Sequence, residues 1–418
     1  MKKIILIIAL SLLYLIVYSQ DTIKVMSYNL LNYGNYTSYC TTSNNNVSNK
    51  NEYLKTIIDY TLPDILGVVE IAPDDTYIDG FRDNVLNQNG RDYYAKTPKS
   101  NYSGSSIINM LYYDSRKLTL SFWTSLATTY RDINIYTFYF ENDALENGDT
   151  VYLTCIVMHL KAGNTDSDAS DRTAMAQTLM NFLNNFNENT NYLVMGDFNV
   201  YSSSEGAYQQ LTNHPNANIR FYDFINKYGD WSNNAYFSPY HSQSTHTTSD
   251  CFSGGGLDDR FDFILGNINT ITGAKGFKYL ADSYTTLGQD GQHFNKGLLD
   301  SPTNSTVPSD VLEALYGNSD HLPIIAKFIV DNTMSVNDYS LPIDYYLIDN
   351  KLYINFINPS YTDMSIKILD VQGRQVFTDQ ISSDIQQYIL DMNNYNKGVY
   401  LIDIYNNTGF TSFKILNF

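Results

Sequence analysis

Between residues 21 and 332, short apolar runs recur with polar stretches between them, and no other feature narrows the fold as far. They are 23–28 (IKVMSY), 65–69 (ILGVV), 106–113 (SIINMLYY), 135–140 (IYTFYF), 151–158 (VYLTCIVM), 192–196 (YLVMG), 261–266 (FDFILG) and 324–330 (IIAKFIV). Runs of this length, rich in β-branched and aromatic residues and bounded by turn formers, read as strands. Two segments have a helical period instead. Met175, Leu179, Phe182, Leu183 and Phe186 repeat at that spacing, with Ser170 or Asp171 as the expected N-cap, and residues 50–60 form a second amphipathic pattern. A sheet-rich core with helices outside follows. The stretches 201–258 and 267–318 carry Ser, Asn, Gly and Thr with little period and read as long loops, functional or poorly ordered.

At 418 residues the chain is too long for one ordinary core, so about two domains plus a targeting segment are expected. Aromatics at 14%, with 37 tyrosines, and charged residues at only 17% favour β-structure over a helical bundle. A formal net charge of −18 and no Lys/Arg run argue against tight sequence-independent binding to nucleic acid or anionic membrane. A local cationic groove, or a divalent metal that supplies the positive charge, stays compatible with that balance.

The N-terminus, MKKIILIIALSLLYLIVYSQ, has two lysines, an apolar stretch from Ile4 to about Tyr18 and a polar end. Residues 1–20 are expected to be a signal peptide, cut near Gln20 with no cysteine at the new terminus for a lipid anchor. The apolar stretch is short for a membrane span, and an uncleaved anchor is the alternative. After residue 332 the composition shifts. Residues 333–342 read as a linker, and 343–418 carry short alternating strands (YLIDNKLYINFI, SIKILDV, RQVF, GVYLIDIY, SFKIL), a small all-β module without histidine or glutamate.

Polar residues cluster at the tips of the strand runs. Asn29 ends the first, Glu70 the second and His159 ends VYLTCIVMH; Asp262 opens FDFIL, and Asp320 and His321 open LPIIAKFIV. In YLVMGDFN, Asp197 and Asn199 lie two apart, so an extended chain would aim them to one side. Each residue has a local explanation: turn formers for Asn29, Asp197 and Asn199, a helix-starting acid for Glu70, a hydrogen-bonded core histidine for His159, a strand-entry cap for Ser319 and Asp320. All of them together are better explained by one polar site, since in a mixed sheet the ends of oppositely directed strands share an edge. Carboxylate and amide oxygens suit a hard cation such as Mg²⁺, with Mn²⁺ or Ca²⁺ as alternatives, and histidine beside acid suits proton handling at a phosphoryl group. His241 and His246, in a polar loop, are expected to be solvated or substrate-side residues.

The ordered set Asn29, Glu70, His159, GDFN, RFDFIL and SDHLPI resembles the endonuclease/exonuclease/phosphatase superfamily over about residues 22 to 330. The resemblance implies a four-layer α/β sandwich with two central mixed β-sheets and a site at one edge. It implies Glu70 as the main metal carboxylate, with Asn29 and Asp320 nearby, and Asp197 and Asn199 orienting the nucleophilic water. His321 would stabilise or protonate the phosphoryl group, oriented by Asp262, with His159 as a second imidazole. Arg131, and more weakly Asn109, would contact substrate phosphate. The expected activity is Mg²⁺-dependent phosphodiester hydrolysis, first as a secreted, monomeric endonuclease acting on DNA or RNA. A sphingomyelinase-like phospholipase, a phosphomonoesterase and a non-catalytic binding protein are the alternatives. If that fold holds, Cys40 and Cys251 flank one mouth, and a bridge between them or two free thiols both stay open; Cys155 reads as a buried free thiol. The end module, expected to be a small β-sandwich, resembles the C-terminal sorting domain of Bacteroidetes type IX secretion substrates, through DVQGRQVF and NKGVYLIDIY. That implies contact with the secretion machinery, a secreted or cell-surface location and no membrane span after signal cleavage.

Overall fold

The structure is a computed structural model that describes residues 21–141, 150–186, 188–331, 343–348, 350–356, 363–370, 374–382, 385–405 and 410–417. The expected signal peptide and the 333–342 linker lie outside the described residues.

In chain order the N-terminal unit begins β1 (Asp21–Tyr33), α1 (Val47–Thr61), β2 (Ile65–Ile71), α2 (Asp75–Phe81), β3 (Tyr94–Lys96), β4 (Ile108–Asp114), β5 (Leu118–Leu126), β6 (Ile133–Phe140) and β7 (Tyr152–His159). It continues α3 (Asp166–Phe186), β8 (Asn191–Asp197), α4 (Gly206–Thr212), β9 (Phe221–Asp223), β10 (Asp262–Asn267), α5 (Ile268–Thr272), β11 (Phe277–Tyr279), β12 (Thr285–Thr286), α6 (Ser309–Asn318) and β13 (Ile324–Val330). One sheet has the order β11-β13-β1-β2-β4-β3, with β12 also on β13; the other has the order β5-β6-β7-β8-β10-β9. Each is mixed, with one parallel pair, β1 with β2 and β7 with β8, inside otherwise antiparallel pairings.

Two-residue alternation sorts the side chains into layers. Met26, Tyr28, Leu66, Val68, Met110 and Tyr112 face outward from the first sheet and pack on Leu54, Ile57 and Ile58 of α1 and Val311, Leu312 and Leu315 of α6. Ile156, Met158, Tyr192, Val194, Phe263 and Leu265 pack outward on Met175, Leu179 and Leu183 of α3 and on α4. The inner faces meet through Val25, Ile65, Val69 and Leu111 on one side and Cys155, Val157, Leu193, Met195 and Ile264 on the other. The expected four-layer α/β sandwich is therefore the fold observed. Cys155 is a buried free thiol, and Cys40 is bonded to Cys251 across 211 positions.

Two expectations need correction. Helix α3 starts a turn before Ser170, because Thr165 and Asp168 exchange side chain–backbone bonds (Asp168 N to Thr165 Oγ1 and Thr165 N to Asp168 Oδ2, each 3.2 Å) as a capping box does. Its first turn, Asp166 to Ala169, has no large apolar residue to reveal it. The stretches read as loops hold α4, α5, α6 and three short strands, and α6 packs on the outer face of the first sheet beside α1.

Strand direction decides where the site falls. The C-terminal ends of β1 and β2 share an edge with the N-terminal ends of β13 and β4, and those of β7 and β8 with the N-terminal ends of β6 and β10.

The C-terminal unit has a three-stranded sheet, β14 (Ile343–Ile348), β15 (Lys351–Phe356) and β18 (Gln387–Asp391), and a four-stranded one, β16 (Met364–Leu369), β17 (Gln375–Ile381), β19 (Gly398–Tyr405) and β20 (Phe410–Asn417). Leu352, Ile354, Ile366, Ile368, Ile402 and Ile404 form its own core, as expected of a small β-sandwich.

Candidate active site

Inward-facing registers run out into polar groups at the shared edge. Asn29 follows Val25 and Ser27 at two-residue steps, His159 follows Cys155 and Val157, Asp197 follows Leu193 and Met195, and Asp262 precedes Ile264. His159 is the register partner of Asp197, and Asp262 is its partner on the other side, so the three form a row across β7, β8 and β10. Alternation alone would turn Glu70 toward the helices. The ladders on both sides of β2 are irregular here, and Glu70 itself is left-handed (φ 64), a conformation that costs a β-carbon residue about 1–3 kcal/mol. Gly196 has φ 136, and a β-carbon there would lie 1.9 Å from the Met158 carbonyl oxygen, so the glycine of GDFN is what allows β8 to reach the edge beside β7. Asn199 is left-handed too (φ 51) and its N–H donates to Asp197 Oδ1 at 3.0 Å. The GDFN stretch is thus a turn and part of the cluster at once.

Asn29 Nδ2 lies 3.2 Å from Glu70 Oε1, 3.1 Å from Asp197 Oδ2 and 3.4 Å from His321 Nε2, which joins groups that are up to 292 positions apart. Its Oδ1 accepts from the Leu31 N–H, and Glu70 Oε2 accepts from the Asn32 N–H at 2.9 Å. His159 Nε2 is 3.5 Å from Asp197 Oδ2 and 3.8 Å from Glu70 Oε1. His321 Nδ1 is 2.7 Å from Asp262 Oδ2, which leaves Nε2 facing Asp197 Oδ2 at 3.7 Å. Ligand atoms of Glu70, His159 and Asp197 all lie within 4.8 Å of one another, close to the spread of donors about one small cation, at roughly 2.0–2.2 Å per bond.

Burial disfavours the charged form of His159, and the Arg131 and His321 charges act the same way, so its pKa falls well below the ordinary value and the ring is neutral. Burial alone would do likewise to His321, but the charges of Asp262, Asp197 and Asp320 outweigh it and hold its pKa well above the ordinary value. Burial raises Asp197, helped by Asp262 and Glu70 and opposed by His321 and Asn29. Burial lowers Arg131 against the opposing pull of Glu70 and Asp197. Four carboxyl groups, Glu70, Asp197, Asp262 and Asp320, therefore meet three basic side chains, Arg131, His321 and the buried Lys50. A buried excess of carboxyl oxygens is costly unless protons or a bound cation neutralise it.

Other expected site residues fall differently. Asp320 is outside the compact donor set: its Oδ2 accepts from Ser253 N at 2.9 Å and Gln243 Nε2 at 3.3 Å. Asn29 offers the set its amide nitrogen, because its oxygen is engaged by Leu31. Among imidazole and carboxylate groups, His159 and Asp197 are the ones whose ligand atoms gather with that of Glu70. Asn109 ties β4 to the second sheet, with its Nδ2 on the carbonyls of Asp132 (2.8 Å) and Val157 (3.3 Å), which takes up the donor a phosphate would need. Arg131 is on the rim, one amino group on the Leu160 carbonyl at 3.2 Å and its Nε buried without a partner among the described residues. His241 and His246 are not solvated. His241 is fully buried with Nε2 2.8 Å from the Trp231 carbonyl, and His246 stacks between Phe252 and Tyr316, ring centroids 4.0 and 3.8 Å away. Their loop supplies two contacts that sequence reasoning missed: Ser242 Oγ donates to Asp262 Oδ2 at 2.7 Å, and Gln243 Nε2 lies 2.7 Å from His321 Nε2. The run HSQSTHTT has no period to reveal them.

Residues 348–417 match the family model described as secretion system C-terminal sorting domain, so the chain carries an export address. No curated protein matches the sequence. Solved structures similar to the chain include an endonuclease/exonuclease/phosphatase from Bacteroides vulgatus, 12% identical, covering 75% of this chain and 100% of that one with a TM-score of 0.46. A humanized D. rerio TDP2 is 14% identical (73% and 98% covered, TM-score 0.45). The human Nocturnin catalytic domain is 16% identical (74% and 97% covered, TM-score 0.42).

Proposed function

We propose that the N-terminal unit is an exported, divalent-cation-dependent phosphodiesterase that acts on nucleic acid. The observation that carries this reading is the convergence of Glu70, His159 and Asp197 within 4.8 Å beside a His321–Asp262 pair. Glu70, with Asp197 and His159 beside it, would hold Mg²⁺ or Mn²⁺; the neutral imidazole has a lone pair to offer, and the excess of carboxyl groups favours a cation. When bound, that cation neutralises charge developing on the phosphoryl oxygens.

The remaining chemistry belongs to the chain. Asp197, held by the Asn199 N–H and by Asn29, orients the attacking water and takes its proton. His321 stays protonated because of Asp262, and once the Gln243 amide turns aside its Nε2 donates into the phosphoryl group across the pocket from Asp197. Arg131 adds a positive charge at the rim. Nucleic acid is the preferred substrate class because Tyr36, Tyr39 and Tyr102 are exposed on loops that leave or enter this edge, where tyrosine rings stack unpaired bases. The net charge of −18 opposes a long duplex clamp and favours a short single-stranded contact.

Incubation of the purified chain with plasmid, single-stranded DNA, RNA, sphingomyelin and a phosphomonoester tests the reading. Cleavage of a nucleic acid with Mg²⁺ is expected; turnover of the lipid or the monoester alone would overturn the substrate assignment.

A further inference from the structure

The outer face of the first sheet has a second concentration of charge, at the edge opposite the active-site rim. Lys24 and Lys327 are direct register partners on antiparallel β1 and β13, and alternation puts both on this outer face. Like charges directly opposite one another destabilise a sheet. Lys117 and Arg116 stand beside them, and the cavity they line with Asp64 and Asp114 has a volume of about 510 Å³. Both carboxylates are already engaged. Asp114 binds Arg116 through both oxygens, at 2.9 and 2.6 Å, and Asp64 accepts from Lys117 Nζ and from the Lys24 backbone N–H, each at 2.7 Å. Lys24 Nζ donates to the uncharged Thr61 carbonyl, and the exposed Lys327 ammonium has no acceptor among the described residues. Four cations against two anions leave a local surplus of two in a chain whose net charge is −18. The strain is visible at Lys24, whose pKa is lowered by burial and by the Lys327 and Lys117 charges, against the pull of Asp64.

We propose that this cavity binds the phosphate or sulfate group of a small ligand, with Lys24 and Lys327 as the paired contacts. A doubly charged oxyanion between the two ammonium groups cancels both the surplus and the cross-strand repulsion. The volume suits a ligand larger than the bare anion, being within the roughly 300–1,000 Å³ of small-molecule sites. Lys24 is five residues before Asn29, about 16 Å along the strand at ~3.3 Å per residue, so this site is separate from the active-site rim and stands or falls independently of the proposed activity.

The test is thermal denaturation of the full chain in EDTA, with inorganic phosphate, inorganic sulfate or sodium chloride at matched ionic strength, for the wild type and Lys327→Glu. Phosphate or sulfate at about ten times its Kd is expected to raise the wild-type midpoint by about 2 °C beyond chloride. Lys327→Glu is expected to melt higher than the wild type without anion, because it pairs with Lys24, and to lose the anion response while its hydrolytic rate is unchanged. The two oxyanion arms separate a phosphate site from a sulfate site. Equal shifts in both proteins, as general salting effects would give, or no shift beyond chloride in the wild type, would overturn the proposal.

Discussion

His321 depends on Asp262 for its charge. With Nδ1 fixed on that carboxylate at 2.7 Å, the ring presents Nε2 to the pocket and keeps its proton against the cost of burial. Replacing His321 by Ala is expected to lower kcat by about 10²–10⁴-fold, the usual contribution of a positioned general acid. Asp262→Asn should lower it too, and because it removes the largest charge that raises the pKa of His321, the alkaline limb of the pH–rate profile should move to lower pH. An unshifted limb would show that Asp262 merely packs. A second residue-scale prediction concerns Lys50, buried under the site with its ammonium on the Asn318 carbonyl. Burial, opposed by Asp320 and Glu70, lowers its pKa to about 7. The unfolded value is near 10.4, so between about pH 7 and 10 the unfolded chain binds more protons and stability rises with pH. The midpoint difference between wild type and Lys50→Met should therefore move in favour of the wild type from pH 6.5 to 9.5 in thermal melts; a constant difference would contradict the assignment.

Among the elements, β8 is the one whose sequence and role are most tightly bound. Gly196→Ala puts a methyl group against the Met158 carbonyl in a conformation L-residues avoid, and a loss of at least about 3 kcal/mol in denaturant unfolding is expected. A smaller loss would mean that β7 and β8 part easily at this edge. The strands that build the rim were legible because each combines an apolar run with a polar tip, and two-residue alternation then decides which face the tip joins. Three kinds of feature were not legible. Glu70 reaches the site through a left-handed residue that no periodicity predicts. The edge strand β5 is half exposed, with Phe122 and Trp123 open to solvent, and so lacks a sustained apolar pattern. Ser242 and Gln243 belong to an irregular segment whose partners, Asp262 and His321, are 20 and 78 positions away.

As a whole, the molecule joins an α/β sandwich carrying a charged edge to a β-sandwich that serves as an export address. Export fits the Cys40–Cys251 bond, which ties the loop after β1 to the loop whose Ser253 N–H holds Asp320. Both ends of that bond lie in polar loops, and only the fold brings them together, which is why sequence left the pairing open. The resemblance to the endonuclease/exonuclease/phosphatase superfamily supplied the order of the polar tips; the distances put Asn29 beside Glu70 as expected and add His159 and Asp197 to the same cluster. The most direct test of the central claim is the initial rate of bis(p-nitrophenyl) phosphate hydrolysis by the full chain, measured against Mg²⁺ concentration for wild type and Glu70→Gln. The account predicts saturable activation by Mg²⁺, loss of activity in EDTA, and a rate lowered at least about 100-fold in Glu70→Gln. Hydrolysis that survives EDTA, or that is unchanged in Glu70→Gln, would contradict it.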